Sequence, residues 1–513
     1  MAALQAGFTI FTIVAASLIV ASACLLLLIR FGHPDDRVGA WFPKVVTVLG
    51  LYLSAGTILA MPLDVANTQM RIGLPMDQVW AGIFITIVTA ITVVVPYAFF
   101  FYESDSDPNG AGGAVAACGK QTWTALLYTL ATVVVFGLIL GVAYYYLHVA
   151  EVPLQQQRRS AMSLSPAYPP SGADMVFQCD SATGCDTVPV QWNQPVSFAI
   201  FSGAVASFLG WFFFTLFGGI GLVALPVDLI NEFRTRPARM TVAEYAKQRV
   251  ALGRRATALL LLAAALDRST RLMTRRSKRR DRTTLNRLEV EVHALKRDKR
   301  LLEESYYLKG GNPVFYFAKL VAGVFALNLT LTWTVHIAVF VLAGQQTPFL
   351  NQLFLDLTTG IAGFGLFGVL SFAAYALYLL ACCVKGVFRL GLRIPCLIRI
   401  YPMELGNTMM NAFLFNTWIV LICTIPVAHF CTIAFGPYVS GTSVRAIFGV
   451  QVFYLKVFRL LWANNAFIWA MLAVMALTCV GMVAFPKDKA LEIDRRLQQQ
   501  VDDLESGGID ALE

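Results

Sequence analysis

Apolar residues in this chain fall in long runs separated by short polar stretches, a pattern that alternates on the scale of a bilayer. Nine runs stand out: 6–29, 45–61, 79–101, 122–147, 196–224, 314–342, 353–383, 408–435 and 463–485. A helix needs roughly 17–25 apolar residues to cross the hydrocarbon core, so the spacing predicts nine membrane-spanning helices. A further apolar stretch, 440–461, carries Arg445, Lys456 and Arg459. Those charges predict an outer-leaflet or re-entrant helix there.

One long polar excursion interrupts the pattern, at 225–312. Within it, Val242, Tyr245, Arg249, Leu252, Ala256, Leu259, Ala263 and Leu266 recur at alternating three- and four-residue steps. Leu285, Leu288, Val292, Leu295, Lys299, Leu302 and Tyr306 repeat the same rhythm. This is the seam of a short coiled coil. Two runs of similar length joined by a tight basic turn predict an antiparallel hairpin with arms of roughly 35 Å. The fold class expected is therefore all-α: a polytopic membrane bundle of about nine transmembrane helices with a cytosolic antiparallel coiled-coil hairpin. Its divisions would be a five-span block at 1–224, the hairpin at 225–312, a four-span block at 313–486 and a cytosolic tail at 487–513.

Composition agrees. Of 513 residues 57% are hydrophobic and 14% charged, with mean hydropathy +0.64, values that place the chain among membrane proteins. Charge then sets orientation. The excursion holds 21 of the 40 Lys and Arg against ten acids. Even without it, twelve basic residues fall on one side of the predicted spans and six on the other. By the positive-inside rule the N-terminus lies outside or in a lumen and the C-terminus in the cytosol. A basic balance confined to one face suits a cytosolic leaflet better than nucleic acid, so membrane lipids are expected partners and nucleic acid is not.

Candidate chemistry is sparse. No HExxH, GxSxG or Walker pattern occurs and the five histidines do not cluster, so neither an enzyme nor a cofactor is expected. Cys179 and Cys185 share the proline-rich external loop at 150–195, where an oxidising side would let them close a small disulfide; two free thiols are the alternative. The tip residues Arg275, Arg276, Lys278, Arg279, Arg280 and Arg282 form either a solvated turn or a docking site for an acidic partner. Ser202, Ala206 and Gly210 make a small-residue stripe for close helix approach. Cys382, Cys383 and Cys396 suit either palmitoylation or plain packing.

Two short segments resemble each other, Pro62-Leu63-Asp64-Val65-Ala66-Asn67 and Pro226-Val227-Asp228-Leu229-Ile230-Asn231. Each is expected to end its helix, with Pro disrupting the last turn. The functional alternative is an inverted repeat that places Asp64 and Asp228 at a substrate or ion site. His336 lies within the sixth run, and intramembrane ionisable groups are candidates for function.

These two segments, together with the block Pro402-Met403-Glu404-Leu405-Gly406-Asn407 running on to Asn416, resemble the limb-development membrane protein family. The resemblance implies nine spans, an external N-terminus and a cytosolic coiled coil. It further implies a receptor or adaptor role in endocytosis, trafficking or signalling at the plasma membrane or the endosomal-lysosomal membrane. Such a role calls for cytosolic trafficking or signalling partners and for an extracellular or lumenal ligand. The competing reading is a transporter or lipid-translocating protein with a cleft between the two blocks. Convergence of Asp64, Asp228, His336 or Glu404 on a water-accessible path would favour it.

Overall fold

The computed structural model describes residues 2–33, 40–70, 72–104, 114–159, 185–234, 240–272, 313–344, 349–359, 366–390, 408–456 and 464–484. It also describes isolated positions at 36, 236, 393–394, 398–399, 403, 458–459 and 462, and several between 291 and 306. Nine helices among these residues are long and apolar enough to cross a membrane. They are Ala2–Phe31, Trp41–Met70, Met76–Glu103, Ala114–Leu147, Phe198–Arg234, Pro313–Leu342, Leu366–Leu390, Met410–Ala434 and Ala466–Ala484, here called the first to ninth spans.

The bundle is built around the eighth span, whose apolar window is 89% buried against 6% for the first and 11% for the fourth. A helix apolar on every side belongs in the core; the first and fourth spans turn most of the same kind of surface outward to lipid. Contacts divide the chain into two units, one of 1–224 with 329–476 and one of 225–328 with 477–513.

Two expectations need correction. The run at 353–383 is two helices, a short amphipathic Phe349–Thr359 and the seventh span Leu366–Leu390. Asp356 lies on the short helix, where Gln352 donates to its Oδ1 at 2.9 Å. Neither repeated segment ends its helix: Pro62 lies inside the second span and Pro226 inside the fifth. A proline costs an interior helix one hydrogen bond, which packed membrane helices tolerate. Of the stripe expected on the fifth span, Ser202 and Gly210 are buried and Ala206 is half-buried, and the buried face continues through Gly203, Ser207, Phe214, Phe217 and Gly221. Cys382 and Cys383 are wholly buried, which favours packing of the two readings offered for them; Cys396 lies outside the described residues.

The third span shows how local chemistry becomes packing. Pro96 lacks an N–H, and the turn before it, Ala90–Val94, widens to a π-helix in which Val95 N–H reaches back to Ala90 O. In that register the carbonyl of Ile91 would need the missing N–H of Pro96. Trp418 of the eighth span donates its indole N–H to Ile91 O instead, at 2.9 Å.

The proline-rich loop at 150–195 is not wholly irregular. Its two ends form an antiparallel ribbon, β1 (Val149–Arg159) with β2 (Cys185–Pro195), in register from Val149↔Pro195 to Arg159↔Cys185. Cys179 and the basic tip at Arg275, Arg276, Lys278, Arg279, Arg280 and Arg282 lie outside the described residues, as does Glu404.

In the second unit the helix Val242–Leu272 runs beside described residues of the second seam. Tyr245 stacks on Tyr306 with ring centroids 4.1 Å apart. Further along, Arg255 reaches Asp298 at 3.4 Å and Glu291 at 3.5 Å. Rising numbers on one side meet falling numbers on the other, so the two runs are antiparallel. Along the expected seam Leu259 and Leu302 are buried, whereas the polar breaks Arg249 and Lys299 are exposed.

Candidate functional site

The stretch at 440–461 is a cap on the ribbon end of the first unit. Its helix, Ser443–Val452, is too short to span and buries Val444, Ile447, Phe448 and Val452. Its three charges are locally satisfied. The Arg445 guanidinium donates to Thr432 O at 3.5 Å and packs over Gly449. Lys456 pairs with Glu151 of β1 at 3.2 Å, and Arg459 lies over the Tyr454 ring.

Asp64 holds this cap in place. It is 1% exposed. Its Oδ2 accepts the Val444 N–H at 2.7 Å and the Trp80 indole N–H at 3.0 Å, and its Oδ1 accepts the Ser443 N–H at 3.3 Å. The first N–H groups of a helix lack intrahelical partners and carry its positive partial charge, so a carboxylate is well matched to them. Asn67, one turn on, closes the following turn, exchanging two hydrogen bonds with the Leu74 backbone at 2.9 and 3.1 Å. Thus the first repeated segment is a tertiary clamp.

A second clamp sits at the opposite end. Asp36 accepts the Met410 N–H at 3.1 Å and the Tyr102 hydroxyl at 3.0 Å, and Lys44 donates to its carbonyl. Asn411 adds a bond to Glu103 at 3.0 Å. The start of the eighth span is therefore tied to the link between spans one and two and to the end of span three. Nothing in the motif His33-Pro34-Asp35-Asp36 distinguishes Asp36 beforehand, because its partners come from positions far along the chain.

The histidines are embedded in aromatic rings. His336 Nε2 donates to Ala434 O at 2.8 Å, an oxygen that Asn351 also reaches at 3.2 Å, and its ring stacks on Phe340 and Phe435. Asn351 accepts the Tyr438 N–H in turn, at 3.3 Å. Burial raises the Tyr438 phenol above its ordinary value, with bonds to Thr358 and Gln69 opposing. His429 Nδ1 faces Ser207 Oγ at 3.1 Å and accepts the Trp211 indole N–H at 3.2 Å, while Phe448 of the cap stacks on its ring.

Of the expected site residues, Asp64 and His336 lie in the first unit and share none of these partners. Asp228 is half-buried in the second unit. Among the described residues no group of three or more His, Cys, Asp or Glu could hold a metal. Asp64 and Asp36 fix helix ends, and His429 ties the body of the eighth span to that of the fifth.

Comparison with known proteins places these features in a wider set. The family described as LMBR1-like membrane protein matches residues 7–309 and 311–480. A LIMR family protein of Dictyostelium discoideum is 34% identical over 95% of this chain and 99% of its own length. A LIMR family protein of Arabidopsis thaliana is 32% identical, covering 91% of this chain and 94% of its own, and one of rice is 32% identical over 90% and 93%. No solved structure matches.

Proposed function

The chain belongs to the LMBR1-like membrane protein family, and we propose that it works as a receptor or adaptor whose basic hairpin recruits cytosolic trafficking or signalling proteins. It is a multi-pass integral membrane protein. In this reading the hairpin is a coiled coil on the cytosolic side, the N-terminus is external or lumenal, and the membrane is the plasma membrane or an endosomal-lysosomal one. No catalytic step is assigned to it.

The observation that carries the reading is the pairing of the two seams. Tyr245 on Tyr306 and Arg255 between Glu291 and Asp298 hold two helices together along a largely exposed surface. Such an arm costs ordering entropy and buries little, which makes sense if its outer face has something to contact. A transport path draws no comparable support, because both oxygens of Asp64 are taken up by the cap helix and Trp80.

Deleting 268–282 tests the proposal. Proximity labelling from a tag on the hairpin should lose its cytosolic neighbours, while resistance of the protein to alkaline extraction stays unchanged. An unchanged set of labelled neighbours would show that the arm is not the recruiting element.

A further inference from the structure

The β1–β2 ribbon has two unlike faces. Opposed residues in an antiparallel pair share a face and successive residues alternate. Val152↔Trp192 and Leu154↔Val190 therefore lie on one face, and Glu151↔Asn193, Pro153↔Gln191 and Gln155↔Pro189 on the other. On the first face Val152, Trp192, Leu154 and Val190 make an apolar patch bordered by Gln194 and Gln156, and the second carries Glu151, Asn193, Gln191 and Gln155 beside Pro153 and Pro189. At its base the apolar face is covered, with Ala150 and Val152 buried, while the free edge of β1 pairs with the cap: Ala150 bridges Leu455, and the Glu151 N–H donates to Tyr454 O at 3.0 Å. Further out the same face is bare, with Trp192 51%, Leu154 47% and Val190 38% exposed.

The level of the membrane is fixed nearby. The fourth span ends at Leu147, two residues before β1 begins, and the fifth starts at Phe198, three after β2 ends. Tyr145 and Tyr146, both exposed, mark that end of the fourth span, and tyrosine and tryptophan favour the bilayer interface. An upright ribbon would lift Leu154 and Val190, five residues from its base, roughly 17 Å into water. A ribbon tilted along the cap that the β1 edge pairs with would instead keep that face at the level of the span ends.

We propose that the ribbon is an amphipathic membrane-surface element, its Leu154, Val190 and Trp192 face lying on the lipid of the leaflet beside the bundle. The polar face then points to water, which accounts for its Gln155, Gln191 and Asn193. This assignment is independent of the receptor reading.

The test uses the full chain in phosphatidylcholine vesicles, taking the difference in tryptophan emission between wild type and Trp192→Phe. That difference isolates one of nine tryptophans. It should be quenched by phosphatidylcholine brominated near the head of its acyl chains and be insensitive to aqueous iodide. Leu154→Asp, on the same face, should shift the Trp192 component towards iodide, whereas Gln155→Asp on the other face should leave it unchanged. Quenching by iodide rather than by brominated lipid would mean an upright ribbon and overturn the proposal. Protection from both would mean that a protein surface, such as a second copy, covers the patch, and would overturn it equally.

Discussion

Replacing Asp64 by Asn is expected to lower the melting temperature of the detergent-solubilised protein by about 5 °C, from a loss of about 3 kcal/mol. Three donors converge on this carboxylate, two of them the first N–H groups of the cap helix. Asn offers one oxygen and turns its amide N–H groups towards at least one of those donors, so a buried N–H is left facing another. The cap would loosen from the second and third spans. Since Phe448 of the cap stacks on His429 and Leu455 bridges β1, the loosening should reach both. Asp356→Asn, an exposed carboxylate on the short helix before the seventh span, serves as the control and should move stability by less than about 0.5 kcal/mol. Equal melting of Asp64→Asn and wild type would show that the clamp contributes nothing.

A loss of about 3 kcal/mol or more is expected from either Gly221→Ala or Gly386→Ala, because both glycines face backbone rather than side chains. A Cβ on Gly221 would lie 1.7 Å from Cys382 O, and one on Gly386 would lie 1.9 Å from Phe217 O. The fifth and seventh spans thus pack backbone against backbone, each supplying a glycine opposite the other. No rotamer change relieves the clash; the helices must separate. Once they have separated, the second methyl group meets little further resistance, so the double variant should cost clearly less than the sum of the singles. Gly82→Ala should behave in the opposite sense. Its Cβ meets nothing within 4 Å, and alanine in a helix is favoured over glycine by about 0.5–1 kcal/mol. Thermal melts of the four variants read out the pattern, and a Gly221→Ala protein as stable as wild type would contradict the close approach.

Hydropathy along the chain sets the class of this protein and the position of most of its spans. Runs of apolar residues longer than the bilayer is thick have few other stable destinations, so the first six, the eighth and the ninth helices lie where hydropathy put them, to within a few residues at most ends apart from longer polar extensions. Periodicity at three and four residues is likewise a property of one helix, and within 242–306 it picks out Leu259 and Leu302, both of them buried. What the sequence could not decide was whatever depends on two distant segments meeting. Pro62 and Pro226 looked like helix ends because proline removes a local hydrogen bond; whether the helix continues is settled by tertiary packing. On the fifth span Ser202 and Gly210 of the expected stripe are buried, but in an all-apolar helix composition does not mark how far the contact face extends, and the approach of Ile422 to Gly210 and of Cys382 to Gly221 does. Asp64 was picked out as a membrane carboxylate, but its role came from Ser443 and Val444, nearly 380 residues further along. Asp36 was missed altogether, having its partners at Tyr102 and Met410. Bilayer solvation acts on each segment separately and can be read segment by segment; hydrogen bonds between helix ends exist only after the segments have been brought together.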